Sequence, residues 1–272
     1  MVVARKPGTV HNAAGMSHPA SHLYEQAPRA ALRPFVRRFL VVEFSAPHHD
    51  AHLPDTSPVA AFSFRGGCRG DAGAVVPVSA FTGLRETLRA HQHAQGHAVL
   101  LARFTPVGAA AFLRPPQQHF AGMTTDLAGV LAPPAQLEAL HEQLALAPDH
   151  AWRVRLLEDF LLARLRLPAP DPLVAAAAAW LERGGGRIET LARHLGLSQS
   201  TLERRFRRVV GLTPKKFASL ARLGRAVRLR AGGADLTAVA HGAGYFDQAH
   251  FIHDFRRVTG SAPEAYFRQA GA

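Results

Sequence analysis

FRRVVGLTP at residues 206–214 and FRRVTGSAP at residues 255–263 are two copies of one unit. Phe, Arg, Arg, Val, Gly and Pro recur at a constant offset of 49 residues. Upstream, LARHLG (191–196) parallels VAHGAG (239–244) at an offset of 48, so the copies differ by one residue in length. Apolar and turn-forming positions repeat together, which marks a duplicated supersecondary element and not two chance tripeptides.

In the first copy, Ile188, Leu191, Ala192 and Leu195 recur at helical spacing. Gly196 suits the positive φ that ends a helix, and Ser198 is a good N-cap for a second helix over 199–209. Leu202, Phe206 and Val209 form its inner face. Its outer face carries Gln199, Ser200, Thr201, Glu203, Arg204, Arg207 and Arg208. A short helix, a glycine turn and a second helix read as a helix-turn-helix, whose second helix suits a DNA major groove. The second copy repeats the plan. Its first helix starts near Thr237, Gly242 and Gly244 break it, and a second helix runs over 247–258 with Phe251, Phe255 and Val258 inside. Gln248, Ala249, His250, Ile252, His253, Arg256 and Arg257 face outward. Residues 215–230 between the copies form an amphipathic helix, which would hold the two units at the spacing of successive major grooves, about 34 Å.

The charge agrees with this placement. The chain has 272 residues and a net charge of +12. Residues 187–272 hold 15 Lys and Arg against 6 Asp and Glu, while residues 1–186 hold 17 against 14. Most of the excess thus lies in the last third, as expected for a polyanion-binding domain beside a near-neutral one. Charged residues make up 19% and hydrophobic residues 47%, a composition that folds. A single cysteine, Cys68, excludes a disulfide framework and a cysteine-based zinc finger. No apolar run approaches a transmembrane span, and the first twenty residues lack the apolar core of a secretory signal; a soluble cytoplasmic protein is expected, with no membrane partner.

Residues 172–268 resemble the DNA-binding domain of the AraC/XylS family of bacterial transcription regulators. The resemblance rests on FRRVVGLTPKKF, the connecting RLGRAVRLR and GYFDQAHFIHDFRRVTGSAPEAY (244–266). In one departure from the family, Phe246 stands where a small polar residue is usual, which shifts the expected start of the second recognition helix to Asp247. The resemblance implies base readers at Ser200, Glu203 and Arg204 in the first unit and at Gln248, Ala249 and His253 in the second. The later arginines, Arg207, Arg208, Arg256 and Arg257, are expected to meet phosphates.

Upstream, residues 35–44, 58–64, 74–81 and 97–104 are apolar runs of strand length. Helical patterns follow at 135–146 and 150–166, the latter with Trp152, Leu156, Phe160 and Leu161 on one side. LPAPDP (167–172) reads as a linker and as the joint between two arrangements of the chain. LRPFVRRFLVVEF, the LPD at 53–55 and ARFTPVGAAAFL (102–113) resemble the β-barrel sensors found ahead of such DNA-binding domains. The expected fold class is α+β: an N-terminal small, cupin-like β-barrel with helices, then an all-α domain of two helix-turn-helix motifs joined by a linker helix. The expected domains are a disordered stretch at 1–20, a sensor and dimerisation domain at 21–167, and the DNA-binding domain at 168–272. The resemblance implies double-stranded DNA as partner, a small-molecule effector, RNA polymerase, a homodimer and activation of transcription.

Other signals carry less. Twelve of the 16 histidines precede residue 187. His91, His93 and His97 form one string, and His48, His49 and His52 another, in what reads as a polar loop. No Glu stands near His91 at the spacing of a cupin enzyme, so surface histidines and no metal are expected. Cys68 lies in RGGCRG, where flanking arginines favour a lowered pKa. No nucleophile–base arrangement, phosphate loop or carboxylate pair stands out, so neither enzyme activity nor a cofactor is expected. A metal-dependent enzyme tethered to DNA and an effector-free architectural binder are the alternatives.

Overall fold

A computed structural model describes residues 21–167 and 169–270; the expectation for residues 1–20 lies outside them. Among the described residues, nine strands build two antiparallel sheets. The larger has the order β1 (Ser21–Gln26), β2 (Val36–Phe44), β8 (Ala98–Phe104), β4 (Val59–Arg65), β6 (Ser79–Thr82), β9 (Thr124–Asp126). The smaller has the order β3 (His48–His52), β7 (Arg89–His93), β5 (Cys68–Arg69). The barrel is open, since the two sheets remain separate among the described residues.

Strand alternation gives the large sheet two different faces. Phe39 and Val41 of β2, Ala60 and Phe62 of β4, and Leu100, Ala102 and Phe104 of β8 enter one apolar core. Their neighbours Leu40, Val42, Val59, Ala61, Val99 and Leu101 point the other way, into a cavity. The core is closed by α1 (Pro134–Leu146) and α2 (His150–Leu162), which contribute Leu137, Leu140, Leu144, Val154, Leu157 and Leu161. Glu158 of α2 is fully buried and accepts hydrogen bonds from the Arg29 backbone at 2.7 Å and the Arg29 guanidinium at 2.6 Å.

Several expectations change here. The run at 74–81 contributes only β6, and the helix expected to reach 166 ends at Leu162. Trp152 is not on the buried stripe of α2: it is 45% exposed, with Arg155 over its ring, while Val154, Leu157 and Leu161 are inside. Asp149 caps α2 through the Trp152 N–H at 2.7 Å, which places Trp152 in the first turn facing outward. The supposed polar loop at His48–His52 is a strand, β3. Its polar residues gave no apolar alternation because its inner face lines a partly polar cavity.

Seven more α-helices follow among the described residues. They are α3 (Pro172–Glu182), α4 (Ile188–His194), α5 (Gln199–Val210), α6 (Pro214–Ala231), α7 (Leu236–Ala243), α8 (Gln248–Thr259) and α9 (Pro263–Ala270). They surround two cores. Leu191, Leu202, Phe206, Phe217 and Leu220 belong to one, and Leu223, Val227, Val239, Phe251 and Phe255 to the other. Helix α6 supplies both. Phe217 is fully buried and meets Phe206 edge-on, with ring centroids 5.3 Å apart. Phe217→Ala is expected to cost about 3–5 kcal/mol in denaturant unfolding, as for other buried aromatic truncations.

Candidate nucleic-acid interface and interior cavity

Each helix pair in the basic third is a helix-turn-helix. The turns pass through Gly196 at φ +66° and Gly244 at φ +85°, the left-handed region that a side chain would strain. Ser198 then caps α5 by accepting from the Thr201 N–H, and Asp247 caps α8 by accepting from the His250 N–H at 2.7 Å. Asp247 is thus the cap and Gln248 the first helical residue, one position after the expected start. Phe246 itself is 86% exposed.

Most of the positions read as outward are exposed, but Ile252, expected to face outward, packs against the second core. Gln199, Ser200, Arg204, Arg207 and Arg208 on α5 are exposed, with Thr201 and Glu203 half-buried. Gln248, Ala249, His250, His253, Arg256 and Arg257 on α8 are all exposed. Three of them, Gln199, Glu203 and Arg257, are already engaged within their helix. Glu203 accepts from the Gln199 amide at 2.9 Å, and Arg257 donates to Asp254 at 2.7 Å. Asp254 also accepts from the Tyr245 hydroxyl at 3.1 Å, so a buried pair anchors the inner side of α8.

Sequence reasoning missed Arg225, on the inner side of α6. Its guanidinium donates to the Glu182 carbonyl at 2.8 Å and the Ala243 carbonyl at 3.0 Å, tying the ends of α3 and α7. Burial lowers its pKa. Leu223 and Val227 gave the apolar stripe of this helix, but nothing in the pattern distinguished Arg225 from its solvated neighbours.

Also missed was a direct contact between the two halves. Leu84 and Val107 lie in the core of the first helix-turn-helix, and Leu53 and Leu88 pack on that of the second. Glu182 of α3 accepts from both Arg37 and Thr56. Glu86 pairs with Lys216 at 2.6 Å, and the Leu88 N–H donates to the Val258 carbonyl at 3.2 Å. The halves therefore touch at several places, among them Arg37, residues 53–56 and 84–88, and Val107.

The cavity between the sheets has a volume of about 280 Å³. Its middle is apolar. Register places Arg38 opposite Arg103 at one end of β2 and β8, and Phe44 next to His97 near the other. Arg38 pairs with Glu25 at 3.0 Å and Arg103 with Asp55. At the opposite end stand Asp50 of β3 and His91 and His93 of β7. Asp50 and His91 are cross-strand partners. His93 stacks on Phe44 with centroids 3.9 Å apart, and its Nδ1 lies 2.9 Å from Nδ1 of His97. These are not surface-loop histidines: His93 is 9% exposed and His97 2%. Burial lowers His97 to about 4 and also lowers His91. Burial pushes the Asp50 carboxyl up, but the imidazoles of His52, His91 and His93 outweigh it and hold the group well below the usual carboxylate range. Cys68 goes the opposite way from the sequence expectation: burial pushes its thiol up to about 11, beyond what nearby arginine charge offsets.

Residues 191–269 match the family described as "Helix-turn-helix domain". Curated relatives agree. A "Putative AraC-like transcription regulator" from Streptomyces antibioticus is 32% identical over 144 residues, which cover 47% of this chain and 48% of that protein. In this domain the chain is similar to AraC-like transcription regulators. The activator RhaS of Pectobacterium carotovorum subsp. carotovorum is 33% identical over 101 residues, covering 36% of each chain. Among solved structures, the DNA-binding domain of AdpA in complex with a target DNA is 33% identical, covering 35% of this chain and 89% of that one, at a TM-score of 0.33. The chain spans about half or less of the length of the curated relatives it matches. No described helix is long and apolar enough to cross a membrane.

The caps carry a direct test. Asp247→Ala should cost about 1 kcal/mol in denaturant unfolding, the usual loss for a removed N-cap. The adjacent exposed Phe246→Ala should change stability by less than about 0.5 kcal/mol. Equal losses would contradict the observed capping.

Proposed function

We propose that this protein is an AraC/XylS family member, a sequence-specific DNA-binding transcription regulator whose two recognition helices, α5 and α8, enter successive major grooves. The observation that carries the reading is the pair of capped helices with exposed outer faces on one shared scaffold helix. In this reading Ser200, Glu203 and Arg204 of α5, and Gln248, Ala249 and His253 of α8, face base edges. Gln199, Thr201 and His250 flank them at the helix starts. Arg207, Arg208, Arg256 and Arg257 neutralise phosphates, which positions the protein without reading sequence. The two functional domains divide at 21–167 and 168–272, and the protein works in the cytoplasm by binding and not by catalysis.

The upstream half is proposed to sense a small molecule in the 280 Å³ cavity. Leu53, Asp55, Leu84 and Arg85 line that cavity. The same two segments touch the DNA-binding half, so a ligand that moves them changes the contact with α6 and α8. Such a ligand shifts DNA binding only by its different affinity for the two arrangements. The regulator is proposed to be an activator, as the name of the RhaS relative states for that protein, acting with RNA polymerase and as a homodimer.

Selection of bound sequences from a random DNA pool tests the reading. Full-length protein should enrich two sequence blocks about one helical turn apart. No enrichment would overturn specific recognition. On the selected site, Arg204→Ala should lose about 1–3 kcal/mol and relax preference at one base position. Arg256→Ala should weaken specific and random DNA alike and reduce the salt slope by about one.

A further inference from the structure

The geometry points to a divalent transition-metal site in the cavity, formed by Asp50, His91 and His93 with an open position toward the cavity interior. This inference is independent of how the protein reads DNA.

One ligand atom from each of the three side chains lies within 4.8 Å of the others. His93 Nε2 is 3.2 Å from Asp50 Oδ2, and His91 Nδ1 is 3.6 Å from Asp50 Oδ1. Two ligands bonded to one tetrahedral ion at about 2.0–2.1 Å stand about 3.3 Å apart; each imidazole stands near that distance from a different oxygen of Asp50, so the carboxylate faces both. The Asp50 side chain is 4% exposed, that of His91 15% and that of His93 8%. Asp50 Oδ1 and His91 Nδ1 are buried and have no hydrogen-bond partner. Two unpartnered buried polar atoms facing each other cost free energy that a cation between them would recover.

The surroundings favour the ligating form of His93. An imidazole ligates through an unprotonated nitrogen while its other N–H is held by a neighbour. With a metal on Nε2, His93 Nδ1–H donates to His97 Nδ1 at 2.9 Å, and His97 Nε2–H donates to Ser63 Oγ at 3.1 Å. Every member of that relay is then satisfied. Phe44, stacked on His93, holds the ring plane. Two nitrogens and one carboxylate oxygen suit zinc or another first-row divalent ion, and not calcium or magnesium, which prefer all-oxygen sites. Three protein ligands leave a position free for an oxygen or nitrogen atom of a molecule in the cavity. Arg89, on the same face of β7 and also lining the cavity, adds a positive charge that favours an anionic donor there.

Full-length protein stripped with chelator and titrated with Co²⁺, whose visible absorption reports coordination, tests the site. One tightly held ion per chain is expected, with a concentration-dependent rise in Tm. His91→Gln and the near-isosteric Asp50→Asn, each checked for native circular dichroism, should weaken Co²⁺ binding by about tenfold or more. His49→Gln, on the exposed and opposite face of β3, should leave it unchanged. Absence of saturable Co²⁺ binding by the wild-type protein would overturn the site without reference to any variant. So would a folded Asp50→Asn or His91→Gln protein that keeps wild-type affinity and spectrum, or an equal loss in His49→Gln.

Discussion

The two helix-turn-helix units depend on one shared helix. The 18 residues of α6 bury Phe217 and Leu220 in the first core and Leu223, Ala226 and Val227 in the second. A helix of that length is a rod of about 27 Å, so each recognition helix is set against the other through packing on one rigid element. Arg225 completes the tie. Its planar guanidinium serves the carbonyl ends of α3 and α7, one from each unit, at 2.8 and 3.0 Å. Helix-end carbonyls have no partner within their own helix, and a cation there also meets the negative end of the helix dipole.

The upstream half meets this assembly at several segments, and two of them also line the cavity. Residues 53–56 approach α3 and the second core, and residues 84–88 approach α6 and α8. Both segments also form cavity wall. Cavity and recognition helices are therefore separated by one layer of chain, and a change in what fills the first needs no long path to reach the second. The contact mixes apolar packing at Leu84 and Val107 with ion pairs at Glu86 and Glu182, the mixed polarity expected of an interface that can rearrange.

The basic third was legible because several local signals coincide there. Ser198 and Asp247 are cap residues, Gly196 and Gly244 turn residues, and Phe206 and Phe255 stand at the same place in both copies. Each of these is a short-range preference that survives without knowledge of the rest of the chain. Trp152 misled because helical spacing alone leaves the phase of a stripe open, and docking on the core buries Val154, Leu157 and Leu161 instead. The strand β3 was hidden for a related reason. His48, Asp50 and His52 share a face, but a polar face toward a cavity has none of the apolar alternation by which a half-buried strand is recognised.

Sequence alone thus specified the duplicated unit, its helices to within a residue at their starts, most of its outward-facing residues and the sign of its charge, since all follow from spacing and residue type within about fifty positions. Folding in three dimensions assigned the partners. Asp50 meets His91 and His93 only because β3 pairs with β7, forty residues later. Glu182 meets Arg37 and Thr56, and Arg225 meets two helix ends, through contacts spanning up to 145 residues. Such pairings depend on strand register and on how whole elements dock, quantities that no local pattern of residues encodes.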